Sequence, residues 1–235
     1  MNNALKFVMA LVVTILLMLT FRALVFTVYT VRGSALEPCF VDGDRVLVNR
    51  WSYGLRTGGG GLFKYARWFG SQITHGDLAV FNCPVGRQHS VSAKEALAYY
   101  CTGVPGDTVR IGGAELTVPG KGAPCRVTAA NAPLFSYLYN MFEGRKAVVS
   151  DGKLYVDGRL TRCAVLANDY YWFSSGRPDD GSDSRYFGLV PETYIIGKVV
   201  MLLYSVDGDR PAFRRLRPDR RLLIIRNGND GGARR

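Results

Sequence analysis

Few residues of this 235-residue chain could carry chemistry, and their spacing argues against several common kinds. His75 and His89 are the only histidines, and with no third ligand near either one, neither points to a metal site. Cys39, Cys83, Cys101, Cys125 and Cys163 form an odd set without CxxC spacing, which speaks against zinc. Either one pair closes a disulfide in an oxidising compartment, with Cys125 and Cys163 the candidates, or the thiols are buried and reduced. Asp183 and Arg185 place opposite charges two positions apart in a polar run, as an ion pair on the surface or behind a site. Nothing in the chain calls for a cofactor.

The net charge of +11 is uneven. Nine arginines against Asp219 and Asp230 fall between Arg210 and Arg235, so the basic character belongs first to a tail. A nucleic-acid-binding protein would more often mix such residues with aromatics on a folded face, and no nucleic-acid partner is expected. The opposite end is apolar. Phe7 to Phe21 carries no charge, and after Arg22 the run continues to Val31. About 20 helical residues cover a hydrocarbon core, so Leu5 to roughly Phe26 suffices if Arg22 snorkels at the interface. No small-x-small site follows, which favours an uncleaved anchor over a cleavable signal peptide. Lys6 and the terminal amine favour a cytoplasmic N-terminus, with the main domain on the extracytoplasmic side of the cytoplasmic membrane.

Between these ends the chain reads as strands: DRVLVNRWSYG, GDLAVFNCP, DTVRI, AVVSDGKLYVDGRL and YIIGKVVMLLYSV, punctuated by Gly, Pro, Asp and Asn. Ser150-Asp151-Gly152 and Val156-Asp157-Gly158 supply hairpin turn chemistry. Helical patterns are confined to the anchor, Ser92–Ala98 and Ala130–Phe142. The segment Arg56–Gly70, with four consecutive glycines among aromatics, suits either a loop against the bilayer interface or an irregular packed loop. The division expected is a short cytoplasmic N-terminus and anchor over 1–31, a β domain over 32–209 and a basic tail over 210–235. An LLII segment at 222–225 leaves the tail either an extra strand or disordered.

Four blocks then stand in order: RALVFTVYTVRGSALEPCFVDGD from Arg22, GDRVLVNRWSYG from Gly43, HGDLAVFNCP followed by CTGVPGDTV, and DDGSDSRYFGLVPETYIIGK from Asp179. Together, behind an apolar span, they resemble the bacterial type I signal peptidases over nearly the whole chain. The resemblance implies a mainly β fold, an antiparallel signal-peptidase-type domain preceded by one transmembrane helix. It also implies a Ser–Lys dyad that removes signal peptides from preproteins. In that family the nucleophile sits in a Ser-Met-x-Pro pattern, matched here by Ala35-Leu36-Glu37-Pro38, so Ala35 holds the serine position. The lysine base belongs to a Lys-Arg pair before the Gly-x-Pro-Gly-Asp turn. Counting back from Gly103 puts Tyr99 and Tyr100 there. Asp183, Ser184 and Arg185 keep the family's Asp-Ser-Arg and would support the site, whereas the serine beside the dyad lysine has become Gly181.

These exchanges remove the chemistry. Acyl transfer by a hydroxyl needs an attacking oxygen and a base within reach, and Ala35 offers a methyl group. A buried lysine can be neutral at neutral pH, whereas a phenol with pKa ~10 holds its proton and cannot accept another. No catalytic pair is intact. A displaced pair, Ser34 with Lys94, is the fallback. Neighbouring side chains on a strand face opposite ways, however, and Lys94 stands in a KEALAY stretch read as a solvated helical turn. The expected role is therefore binding of signal peptides or preproteins, or of an active signal peptidase, without hydrolysis. The alternatives are an active serine endopeptidase using Ser34 and Lys94, and a structural or membrane-surface protein acting through the Arg-rich tail. Loss of the tail should leave a peptide groove working.

Overall fold

The computed structural model describes residues 3–57, 66–68, 70–85, 96–111, 114–175, 183–208, 210–211 and 215–225. It opens with helix α1 (Asn3–Val25). Its side chains from Ala4 to Leu19 are all exposed, with Phe7 71% and Leu17 66% accessible, whereas Val25 at its end is buried. Among the described residues no helix is long and apolar enough to cross a membrane; the side chains of residues 20–24 lie outside them. The last part of the apolar run is strand, not helix: β1 (Phe26–Thr30) pairs antiparallel with β2 (Asp44–Asn49).

Two short strands, β3 (Leu55–Thr57) and β4 (Ala66–Trp68), then form a ribbon. The flanks of the glycine-rich segment are thus paired backbone rather than irregular loop. Arg67 ties the ribbon down, its Nη2 donating to the carbonyls of Glu192 and Ile195 at 3.1 Å each. Residues 58–65, which hold the four glycines, lie outside the described residues.

β5 (Leu78–Asn82) and β6 (Ala96–Gly103) follow, and β6 corrects the expected helix Ser92–Ala98 at Ala96–Ala98, residues 92–95 lying outside the described residues. Every β6 residue from Ala96 to Tyr100 pairs with β5, from Asn82 back to Leu78. Alanine-rich helix propensity of a few tenths of a kcal/mol per residue yields to that ladder and its packing. β7 (Thr108–Ile111) and β8 (Ala114–Thr117) make a hairpin. β9 (Pro124–Arg126), helix α2 (Ala132–Met141, inside the expected Ala130–Phe142), β10 (Ala147–Ser150), β11 (Lys153–Val156), β12 (Arg159–Thr161) and β13 (Cys163–Val165) build a second layer. Both Asp-Gly turns are hairpin turns. Asp151 and Gly152 have φ of 51° and 69°, and Asp157 and Gly158 have 50° and 79°, the left-handed pair that matches strand twist.

β13 pairs with β9 so that Ala164 faces Cys125 while Cys163 faces Arg126. One residue out of register, the Cys125 and Cys163 side chains leave opposite faces of the ribbon, and no bridge joins them. All five cysteines are free.

β14 (Tyr170–Ser174) is the wall between two cores. Alternation sends Tyr171 and Phe173 into one cluster with Phe81, Tyr99 and Val199, and Tyr170 and Trp172 into another with Phe135, Leu138 and Leu154. Helix α3 (Ser184–Phe187) and β15 (Val190–Pro191) lead into β16 (Ile195–Val206), which pairs with β5 along its first part and with β2 on its other edge. Bulges along β16 let its later part pair with β17 (Leu216–Ile224). The main sheet runs β1-β2-β16-β5-β6-β14-β15, with β17 joined to β16.

Thus the first part of the basic tail is a strand of the main sheet, and two of its arginines hold the loop between β1 and β2. Arg220 donates to both carboxylate oxygens of Asp44, at 2.6 and 3.2 Å, and to the Cys39 carbonyl at 2.8 Å. Arg217 donates to the Asp42 carbonyl at 3.0 Å and to the Ser205 hydroxyl at 2.9 Å. Gly43, φ 87°, passes so close to β16 that a Cβ there would overlap the Val206 carbonyl oxygen.

Removing the charge of Arg220 leaves Asp44, 0% exposed, without its counter-ion. Arg220→Ala should cost about 3 kcal/mol in urea unfolding, and a chain ending at Gly208 should lose at least as much. An unchanged midpoint would show that the clasp contributes nothing. Asp183, 1% exposed, begins α3. Burial works against its charge, but the Arg185 guanidinium and the backbone N–H groups of Arg185 and Ser175 outweigh it and hold the carboxyl below its ordinary value. A depressed folded pKa stabilises the fold above the unfolded value near ~4, and that part is lost as pH falls through the folded value. Stability should therefore drop less between pH 7 and about 3 in Asp183→Asn than in the parent, by urea titration at both pH values.

Candidate functional site

The loop joining β1 to β2 is where sequence reading placed a nucleophile. It is not strand there: Gly33 and Ser34 lie in a bend, and Ala35 to Cys39 form turns, with Glu37 N–H donating to the Ser34 carbonyl and Phe40 N–H to that of Leu36. Asp42 caps the bend by accepting from Gly33 N–H at 2.9 Å, and Asp44 accepts from Val41 N–H at 3.0 Å. With the two arginines of β17, this fixes the loop over Gly33–Asp44 from both ends.

The turn lays Ala35 into a cleft of about 60 Å³, whose lining also includes Tyr29, Leu36, Ala96, Ala98 and Tyr99. The two positions matched to nucleophile and base, Ala35 and Tyr99, thus come together across one cleft from segments 64 residues apart in the chain. Ser34 is exposed and is not part of the lining, and among the described residues no lysine lines the cleft. Lys94 and Gly181 lie outside the described residues, as do His89, Gly176 and Arg177.

Tyr99 is 5% exposed and belongs to the core. Its ring lies 6.1 Å from that of Phe81 and 5.9 Å from that of Phe187, and Phe81 stacks on Phe173 at 4.4 Å. A charged lysine amine would be costly among these rings, whereas a phenol packs there. Tyr100, pointing the other way, hydrogen-bonds Cys39 in the turn. Burial first, and then Cys39, push its hydroxyl above the ordinary phenol range. The Tyr-Tyr pair therefore joins the hydrophobic core to the turn that carries Ala35.

Asp183 and Arg185 form the expected ion pair, Nε to Oδ1 at 2.9 Å and Nη2 to Oδ2 at 3.0 Å. The carboxylate is buried while the Arg185 side chain is 44% exposed, so the pair opens to solvent on one side. It lies beside the Tyr99 cluster: Ser184 Oγ accepts from Phe173 N–H at 2.9 Å, and Phe187 closes the aromatic group. His75 is exposed and touches Asp107 at 2.9 Å. Asp107 in turn accepts from Val104 N–H in the Pro-Gly-Asp turn.

Sequence reading missed Arg217 and Arg220 as supports of the cleft, because an Arg-rich run reads as solvated. The available signal was the LLII segment beside them, which needed a sheet to join. The same contacts tie the tail to the turn that carries Ala35, so a chain without residues 210–235 would lack them.

Among the described residues, one edge of β6 beside the cleft has no strand partner. β14 pairs with β6 only at Tyr100, Cys101 and Gly103. Among the described residues Ala96–Ala98 therefore have β5 on one edge and no strand on the other, while β1 ends the main sheet.

With this geometry the chain can be compared with known proteins. Signal peptidase IB of Staphylococcus aureus is 24% identical over 198 residues, covering 84% of this chain and 88% of that protein. Signal peptidase I V of Bacillus subtilis is 25% identical over 188 residues, covering 80% of this chain and 92% of that protein. The profile of the family described as signal peptidase, peptidase S26, matches residues 4–204, from α1 through most of β16, and the chain belongs to that family.

Proposed function

We propose that this protein binds the extended signal-peptide region of preproteins in the cleft beside Ala35 without hydrolysing it. One observation carries the reading: the cleft pairs a methyl group at position 35 with a core-packed phenol at position 99, and no lysine lines it among the described residues. Hydrolysis by a serine needs both an oxygen nucleophile and a base to take its proton, and neither side chain supplies one. Binding needs less. A peptide laid along Ala96–Ala98 would extend the sheet through main-chain hydrogen bonds, with side chains alternating into a lining rich in alanine. Small pockets of this kind accept small residues and reject large ones.

The same reading gives α1 the role of anchor. Its exposed apolar side chains have no core to cover them, and with the remainder of the helix it would cross the cytoplasmic membrane once. The β domain would then stand on the extracytoplasmic side, where the cleft meets a translocated peptide. An active signal peptidase is a further partner consistent with this location. Ser34 gains nothing from the geometry, being outside the cleft lining.

Preprotein incubated with the detergent-solubilised chain should yield no mature product above background, and neither Ala35→Ser nor Tyr99→Lys alone should change that. A serine without a base and a base without a nucleophile are each idle, so the two effects should be strongly non-additive, with slow cleavage only in the double variant. Recovery should be partial, because a misplacement of ~1 Å can cost ~100-fold. Robust processing by the parent chain that disappears in Ser34→Ala would sink the proposal in favour of the displaced pair.

A further inference from the structure

Among the described residues a single charged side chain lines the cleft beside Ala35, and it belongs to Arg32. The other walls are uncharged, from Tyr29 on β1 and Leu36 in the turn to Ala96 and Ala98 on β6. Arg32 is exposed, and among the described residues its guanidinium has neither a hydrogen-bond acceptor nor a counter-ion. Two carboxylates of the same loop are engaged elsewhere: Asp42 accepts from Gly33 N–H at 2.9 Å, and Asp44 pairs with Arg220.

The backbone at Arg32 is held on both sides. Val31 N–H donates to the Asp44 carbonyl at 2.8 Å, the Val31 carbonyl accepts from Gly43 N–H at 3.1 Å, and Gly33 N–H is held by Asp42. The base of the side chain is therefore fixed at the cleft while its charged end stays open. Arg217 and Arg220, which support the same loop, differ in this respect, since their guanidinium groups are engaged with carbonyls, a hydroxyl and Asp44.

A cation beside low-dielectric walls is screened less than one on an open surface, so an anion brought to it gains more. The planar fork of a guanidinium takes both oxygens of a carboxylate. A peptide carries that group in two places, on Asp or Glu side chains and at its C-terminus. We infer that Arg32 is a specificity-determining residue of the cleft, selecting peptides that bring a carboxylate to its rim beside the small side chains seated next to Ala35. The inference rests on the peptide-binding reading of the cleft.

The test is fluorescence anisotropy of labelled peptides titrated with the full chain in a neutral detergent. A short alanine-rich peptide, blocked at both ends, carries Gln at one position and then Glu at the same position, and that position is moved along the peptide. A further peptide without acidic side chains is compared with a free and with an amidated C-terminus. At one position, or at the free C-terminus, the carboxylate should tighten binding ~5-fold over its neutral counterpart at low salt, and added salt should shrink the gain. The arm that shows the gain identifies the source of the carboxylate. Arg32→Gln should abolish the ratio and Arg32→Lys should keep part of it, with urea midpoints of both variants matching the parent. Saturable binding with no preference for a carboxylate in any arm, or a preference that survives Arg32→Gln, would overturn the role of Arg32 and leave the peptide cleft standing. No saturable binding of any peptide would overturn both.

Discussion

The contact on which the site depends is the buried pair of Asp44 and Arg220. A carboxylate with no exposure at the start of β2 takes the Val41 N–H on one side and a two-pronged guanidinium from β17 on the other. Taking such charges out of water is expensive, and the geometry compensates only while both partners stay. The consequence is local and specific. The same guanidinium reaches the Cys39 carbonyl, and Arg217 reaches that of Asp42, so the turn that carries Ala35 is fixed by the far end of the chain. A strand that is last in sequence thus shapes a cleft built by the first and sixth.

Around that clasp the chain, a member of the signal peptidase S26 family, packs its cleft with apolar and aromatic side chains. Ala35 faces position 99 across the cleft, and the Asp183–Arg185 pair holds the start of α3. Tyr99 lies among Phe81, Phe173 and Phe187, so the residue across the cleft from Ala35 is part of a hydrophobic cluster. A phenol packs among these rings at less cost than a charged amine would.

Much of this was legible in the sequence, for identifiable reasons. Strands with two-residue alternation and Asp-Gly turns depend on local geometry, and β10 to β12 follow from Asp151-Gly152 and Asp157-Gly158 directly. The meeting of Ala35 with Tyr99 came from block order and the count back from Gly103, not from any local signal. What was not legible depended on distant partners. Ala96–Ala98 look helical until β5 supplies a ladder, and the arginines of β17 look solvated until Asp44 and two carbonyls are placed beneath them. The Cys125–Cys163 pairing fails on register, a one-residue offset between β9 and β13 that spacing along the chain does not encode.

The central claim is that the β6 edge beside Ala35, unpaired among the described residues, receives a peptide as an added strand. Hydrogen–deuterium exchange of the full chain in detergent, with and without a saturating synthetic signal peptide, reads that edge directly. The account predicts slowed exchange at the Ala96–Ala98 amides that face away from β5, and at the turn around Ala35, with the α2 layer unchanged. Exchange in Ala96–Ala98 that is indifferent to bound peptide would contradict it.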